Sequence, residues 1–133
     1  TINLRNNSMY KTLVDNSPLI KVNTSKFEAH YAVNGSLMNP LEAFYASLAA
    51  CAAVFAKKTC KSLGIPAEGI DINCTPYAGP GGPLTLAKFK TEVRFPAHFT
   101  AEQKAEILDS IAQCAVKEVV KDGPNIEFLV SEV

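Results

Sequence analysis

Asn39-Pro40-Leu41-Glu42-Ala43-Phe44-Tyr45-Ala46-Ser47-Leu48-Ala49-Ala50-Cys51-Ala52-Ala53-Val54-Phe55-Ala56 is the segment that sets the architecture. Asn39 is a good helix N-cap, because its side-chain oxygen can accept from an otherwise unpaired first-turn amide. Pro40 suits the first helical position, where no N–H is needed. Gly64 and Pro66 supply the stop, so a helix from Pro40 to Leu63 is predicted. Its first two-thirds are apolar nearly all round, which predicts burial on most faces. One small sheet cannot wrap such a helix. Its many alanines allow close approach of another helix, so a second chain is expected to cover part of it. The uncharged run from Ala43 to Ala56 would rise only about 21 Å, short of the roughly 30 Å of a bilayer core, so no membrane span is expected.

On the N-terminal side, Lys11 to Val14 and Leu19 to Val22 read as short strands around the turn residues Asp15-Asn16-Ser17-Pro18. Phe27, Ala29 and Tyr31 alternate with Lys26, Glu28 and His30, the period of a half-buried strand. Asn34-Gly35 marks a turn. On the C-terminal side, Ile70, Ile72 and Cys74 form one alternating strand. Ala87, Phe89, Thr91, Val93 and Phe95 form another, and Gly79-Pro80-Gly81-Gly82-Pro83 connects the two. Thr100-Ala101-Glu102-Gln103 is a capping box opening a helix with Ile107, Leu108, Ile111 and Ala115 as its buried stripe. Helical character continues to Asp122-Gly123-Pro124, and Ile126 to Val130 reads as a last strand. The fold class is therefore α+β, an antiparallel sheet with a long central helix, and residues 1–133 are expected to form a single domain.

Thirteen basic and thirteen acidic residues balance to zero formal charge. The basic excess of a nucleic-acid binder is missing, as is any charge tail for a membrane surface. Thr1 to Arg5 carries no signal-peptide pattern, which points to the cytoplasm. The four cysteines of a reducing compartment are not expected to form a structural disulfide framework. No CxxC is present, and His30 and His98 lie on a strand face and in a loop, so no metal and no cofactor are expected.

Cys51 and Cys60 share one helix, nine residues apart, and therefore point to opposite faces about 13 Å apart along the axis. They cannot bond to each other. Cys60 reads as a packed residue near the helix end, and Cys74 as core packing on a strand. Composition alone makes Cys51 another core cysteine. A reactive thiolate at mid-helix would need a cation from elsewhere, with Arg5, Lys57 and Lys58 as the candidates. Cys114 alone is equally open to a core reading.

The segment from Asn39 to Cys51, together with Cys114 in a late helix after the strand ending in Phe95-Pro96, resembles the osmotically induced protein C and organic hydroperoxide resistance family. The similarity covers roughly Ser25 to Val130. It implies an intertwined homodimer with two long helices at its centre. It also implies a thiol peroxidase of the oxidative stress response that reduces organic hydroperoxides. In that chemistry Cys51 attacks the O–O bond and becomes a sulfenic acid, Cys114 condenses with it to a disulfide, and a dithiol reductant restores both. The apolar neighbours Phe44, Tyr45, Leu48 and Phe55 favour alkyl substrates. Glu42 is the third catalytic candidate by this resemblance. It lies about 13 Å from Cys51 on the opposite helix face, so any contact is expected from the partner chain. Leu41, Ala115 and Lys117 stand where the family's peroxidases commonly carry Glu, Pro and Ser. Arg5, early in the first strand, is the one N-terminal arginine available to hold the thiolate. The second reading left open is a non-catalytic protein of the same fold that binds an apolar small ligand.

Overall fold

Asp15 and Ser17 shape the first turn of the N-terminal region. The Ser17 amide donates to Asp15 Oδ1 at 2.9 Å and the Leu19 amide to Ser17 Oγ at 2.9 Å, so side chains stand in for backbone partners through the turn. The computed structural model describes residues 9–131, and the chain divides into two compact units with the boundary between Phe44 and Tyr45. The N-terminal unit holds a three-stranded antiparallel sheet in the order β1 (Lys11–Thr12), β2 (Leu19–Asn23), β3 (Glu28–Ala32). Thr24 closes the β2–β3 hairpin, its Oγ1 accepting from the Phe27 amide at 2.8 Å and the Lys26 amide at 3.2 Å. Lys21 pairs across the ladder with His30 and Val22 with Ala29. The expected alternation holds for Ala29 and Tyr31, half-buried, against Glu28 and His30, exposed, but Phe27 lies before the strand and is 75% exposed. The first strand is shorter than the sequence suggests. Leu13 and Val14 leave the ladder to enter the turn and are almost fully exposed.

Helix α1 (Pro40–Leu63) begins and ends where its caps dictate. The Glu42 amide donates to Asn39 Oδ1 at 2.8 Å and the Asn39 amide to Glu42 Oε1 at 3.0 Å, a reciprocal capping box. At the other end Gly64 takes φ +70°, a left-handed conformation natural to glycine, and the Ile65 amide returns to the Cys60 carbonyl at 3.0 Å.

The C-terminal unit packs the later part of α1 with a two-stranded antiparallel sheet and two helices. Strands β4 (Asp71–Tyr77) and β5 (Lys88–Arg94) pair from Asp71↔Arg94 to Tyr77↔Lys88. Their outer face is solvated, and the Arg94 guanidinium bonded to Asp71 holds that carboxyl below the usual carboxylate range. Helix α2 (Ala101–Ala112) opens with the expected capping box, the Gln103 amide donating to Thr100 Oγ1 and the Thr100 amide to Gln103 Oε1. Helix α3 (Ala115–Asp122) stops at Gly123, φ +68°. The core is built on Ala56, Cys60, Phe99 and Ile107, with Ile70, Ile72 and Phe95 packed against it.

Two expectations need correction. Helix α1 is not buried on most faces within one chain. Only Ala52, Ala56 and Cys60, one stripe at four-residue spacing, are fully covered, since residues four apart share one helix face and the core meets α1 on that face. The segment Ile126 to Val130 forms no strand. Among the described residues it joins no ladder, β5 pairs with β4 alone, and Phe128, Leu129 and Val130 stand exposed. The strand-forming residues are there, but a strand needs an edge to pair with. The fold class stands as α+β with antiparallel sheets and a long helix. Arg5 lies outside the described residues. Among the described residues, no helix is long and apolar enough to cross a membrane.

Candidate functional site

The α2–α3 junction brings a second sulfur to the middle of α1. Gln113 caps α2, its amide donating to the Ser110 carbonyl at 3.0 Å, and the Cys114 amide donates to the Ile111 carbonyl at 3.1 Å. Cys114 is then the N-cap of α3, its carbonyl accepting from the Glu118 amide at 3.0 Å. Its side chain makes no capping hydrogen bond, since the sulfur is bonded to Cys51. The two Cα atoms are 6.1 Å apart, although 63 residues separate them in sequence. That distance lies inside the span that disulfides require, about 4.4–6.8 Å. A turn further along α1, the Phe55 carbonyl accepts from Ser110 Oγ at 3.4 Å, which ties the end of α2 to α1 independently of the sulfurs. Cys51 is half-buried and Cys114 is 4% exposed.

The other two cysteines are free thiols. Cys60 is buried in the core nine residues further along α1, and burial pushes its thiol pKa up. Cys74 is half-buried on β4, its sulfur 3.6 Å from Thr91 Oγ1 across the ladder. Cys60 matches its sequence reading as a packed residue, whereas Cys74, read as core packing, stands half-buried outside the buried core.

Of the candidate charges, Lys58 places its ammonium 5.4 Å from the centre of the Phe55 ring. Glu42 spends its carboxylate on the α1 capping box, nine residues before Cys51 on the same helix. His30 bonds Glu28 at 2.8 Å, and the His98 ring stacks near Phe99. Among the described residues, no group of three or more His, Cys, Asp or Glu side chains is placed to hold a metal ion.

Beside the disulfide lies an apolar cavity of about 390 Å³ within the C-terminal unit. Leu48 and Ala52 of α1 form one wall and Phe89, Thr91 and Val93 of β5 another. Cys114 lies in its surface, and Leu108, Ile111 and Val120 from the two helices complete it. The sequence marks Phe89, Thr91 and Val93 as the inward positions of a strand and Leu108 as part of a helix stripe. It does not say that they line an open space rather than fill a core. Leu108 accordingly remains 44% exposed instead of buried.

Residues 33–128, well over half of the chain, match the family model described as OsmC-like protein. The chain belongs to the OsmC-like family. The OsmC-like fold recurs in solved structures at low sequence identity. A crystal structure named as an OsmC-like protein from Mycoplasma pneumoniae superposes with a TM-score of 0.70 at 14% identity, covering 87% of this chain and 88% of that one. An osmotic stress induced and detoxification response protein from Psychrobacter arcticus gives 0.68 at 14% identity, covering 82% and 85%. A Legionella pneumophila protein named organic hydroperoxide resistance protein OsmC gives 0.55 at 18% identity, covering 86% and 88%. No curated protein sequence matches the chain. In this OsmC-like chain the two cysteines singled out by the family resemblance come together, and Cys60 and Cys74 are free thiols.

Proposed function

We propose that this OsmC-like protein is a thiol-dependent peroxidase that reduces organic hydroperoxides. The observation that carries the reading is the Cys51–Cys114 bond, whose Cys114 end lies in the wall of an apolar cavity. The Cys51 thiolate attacks the terminal peroxide oxygen. The O–O bond breaks, the alkoxide takes a proton and leaves as an alcohol, and Cys51 becomes a sulfenic acid. The Cys114 thiol displaces hydroxide from that sulfur, which leaves as water, and the disulfide forms. A dithiol reductant then returns both sulfurs to thiols and is itself oxidised to a disulfide. An apolar cavity suits an alkyl chain better than hydrogen peroxide. The name of the Legionella relative is in keeping with this substrate class.

In this reading residues 1–133 act as one OsmC-like domain within an intertwined homodimer in the cytoplasm, where dithiol reductants are available. The exposed apolar residues of α1 and of the Ile126 to Val130 segment favour a second copy as their cover. Glu42, held by its own capping box, takes part in the reaction through the partner's Cys51 site, since its own Cys51 is about 13 Å further along the helix. The same cavity also favours the alternative of an apolar-ligand-binding protein without catalysis. Turnover of an alkyl hydroperoxide with a dithiol separates the two. Wild type consumes the peroxide, Cys51→Ser does not, and Cys114→Ser reacts once and stalls. A fully reduced wild type that consumes no peroxide removes the enzyme reading.

A further inference from the structure

Helix α3 has only eight residues, and helices shorter than about 12 residues rarely hold their structure alone. None of its described side chains is fully buried. Its start, however, is Cys114, which is bonded to Cys51. The end of α2 has an anchor of its own, the Ser110 hydroxyl on the Phe55 carbonyl. Cutting the sulfur bond therefore leaves α2 its own anchor, while α3 loses the covalent tie at its start. Among the described residues, α3 contributes Val120 to the cavity wall, and the junction contributes Cys114 itself.

The cavity lining also selects its occupant. Among the described residues no charged side chain lines it, and Thr91 supplies its one hydroxyl. A carboxylate drawn inside would lose its water without gaining a cation. A neutral chain with one small polar end loses little. The nine heavy atoms of n-octanol take about 270 Å³ at roughly 30 Å³ each. The cavity offers about 390 Å³.

We infer that the Cys51–Cys114 bond is a latch on this cavity: the oxidised protein binds an unbranched aliphatic alcohol there, and reduction frees α3 and weakens that binding. The inference rests on the proposed thiol-redox chemistry only in requiring a reversible disulfide. In the reducing step the S–S bond breaks, each sulfur gains one electron and one proton, and an added dithiol is oxidised to its disulfide. Losing a wall contact the size of one valine side chain weakens binding about tenfold. Coupling is reciprocal, so the alcohol must stabilise the oxidised form by the same factor. For this two-electron couple a tenfold preference lowers the reduction potential by about 30 mV.

The test uses full-length protein and n-octanol. Binding is measured by calorimetry on the oxidised and dithiothreitol-reduced forms, and the disulfide potential is measured in dithiothreitol redox buffers with and without saturating n-octanol. The expected result is about tenfold tighter binding to the oxidised form and a potential about 30 mV lower with the alcohol. Val120 is largely at the surface, so Val120→Ala should fold normally, bind more weakly when oxidised and lose most of the difference between the two forms. Equal affinity in both forms with an unmoved potential overturns the latch. So does tighter binding to the reduced form, the absence of saturable binding to the oxidised form, or a Val120→Ala protein that keeps the full difference. Neither measurement involves a peroxide. A protein that shows the linkage but consumes no hydroperoxide keeps this inference and loses the peroxidase.

Discussion

Reducing the Cys51–Cys114 bond changes stability by an amount set by its place in the chain. The bond closes a loop of 63 residues running through β4, β5 and α2. In the chain-entropy model such a cross-link removes 2.1 + 1.5R ln 63, about 14 cal/mol/K, from the unfolded ensemble, or about 4 kcal/mol at 25 °C. The oxidised protein should therefore unfold at a clearly higher urea concentration than the reduced protein. It should also show a smaller dependence on denaturant, because the cross-linked chain exposes less surface. Urea titrations followed by circular dichroism, with and without dithiothreitol at one fixed protein concentration, give the difference directly. Fixing the concentration matters for a chain that pairs with a second copy. The Cys51→Ser variant should behave as the reduced protein under both conditions. A difference below about 1 kcal/mol would refute the reasoning, because a loop of this length cannot be closed in the unfolded state at so little entropic cost.

Ile107 is fully buried in the core under α1, so Ile107→Ala should cost about 2–5 kcal/mol, read as a fall in thermal midpoint. Cys60 should resist iodoacetamide at neutral pH while the protein is folded and react once urea unfolds it, since burial raises its pKa. The sign is that of a raised acid: its contribution to stability is present below the unfolded thiol pKa, about 8.5, and is lost as the pH rises through the folded value. A Cys60 that reacts as fast as Cys74 in the folded protein would contradict its placement. At Glu42, glutamine can keep the capping box, so Glu42→Gln should leave the thermal midpoint nearly unchanged, whereas Glu42→Ala should cost about 1 kcal/mol. If Glu42 also serves the partner's thiol, Glu42→Gln alone should lower peroxide turnover.

Caps and alternation made the local structure legible in the sequence. Asn39, Pro40 and Gly64 set α1, Thr100 and Gln103 set the start of α2, and the inward residues of β4 and β5 kept their period of two. These signals are local, so one sequence contains them in full. The expectations that failed depend on neighbours. Ile126 to Val130 has strand composition, but whether it pairs is decided by an edge elsewhere, and α1 has apolar faces that one chain leaves uncovered. The same distinction runs through the site. Sequence geometry ruled out a Cys51–Cys60 bond, but only the family resemblance linked Cys51 to Cys114, because nothing local reports a contact across 63 residues. The cavity had no sequence signature at all, since Phe89 or Leu108 reads the same whether it fills a core or walls a void.

The peroxidase reading meets its sharpest test in a single turnover of the fully reduced protein, with one equivalent of an alkyl hydroperoxide and the cysteines then mapped by mass spectrometry. Two thiols per chain should disappear together, and the peptides holding Cys51 and Cys114 should be found joined, while Cys60 and Cys74 remain free. In Cys114→Ser, dimedone should label Cys51 alone. A first oxidation at Cys60 or Cys74, or a wild-type protein whose four thiols survive the peroxide, would contradict that reading.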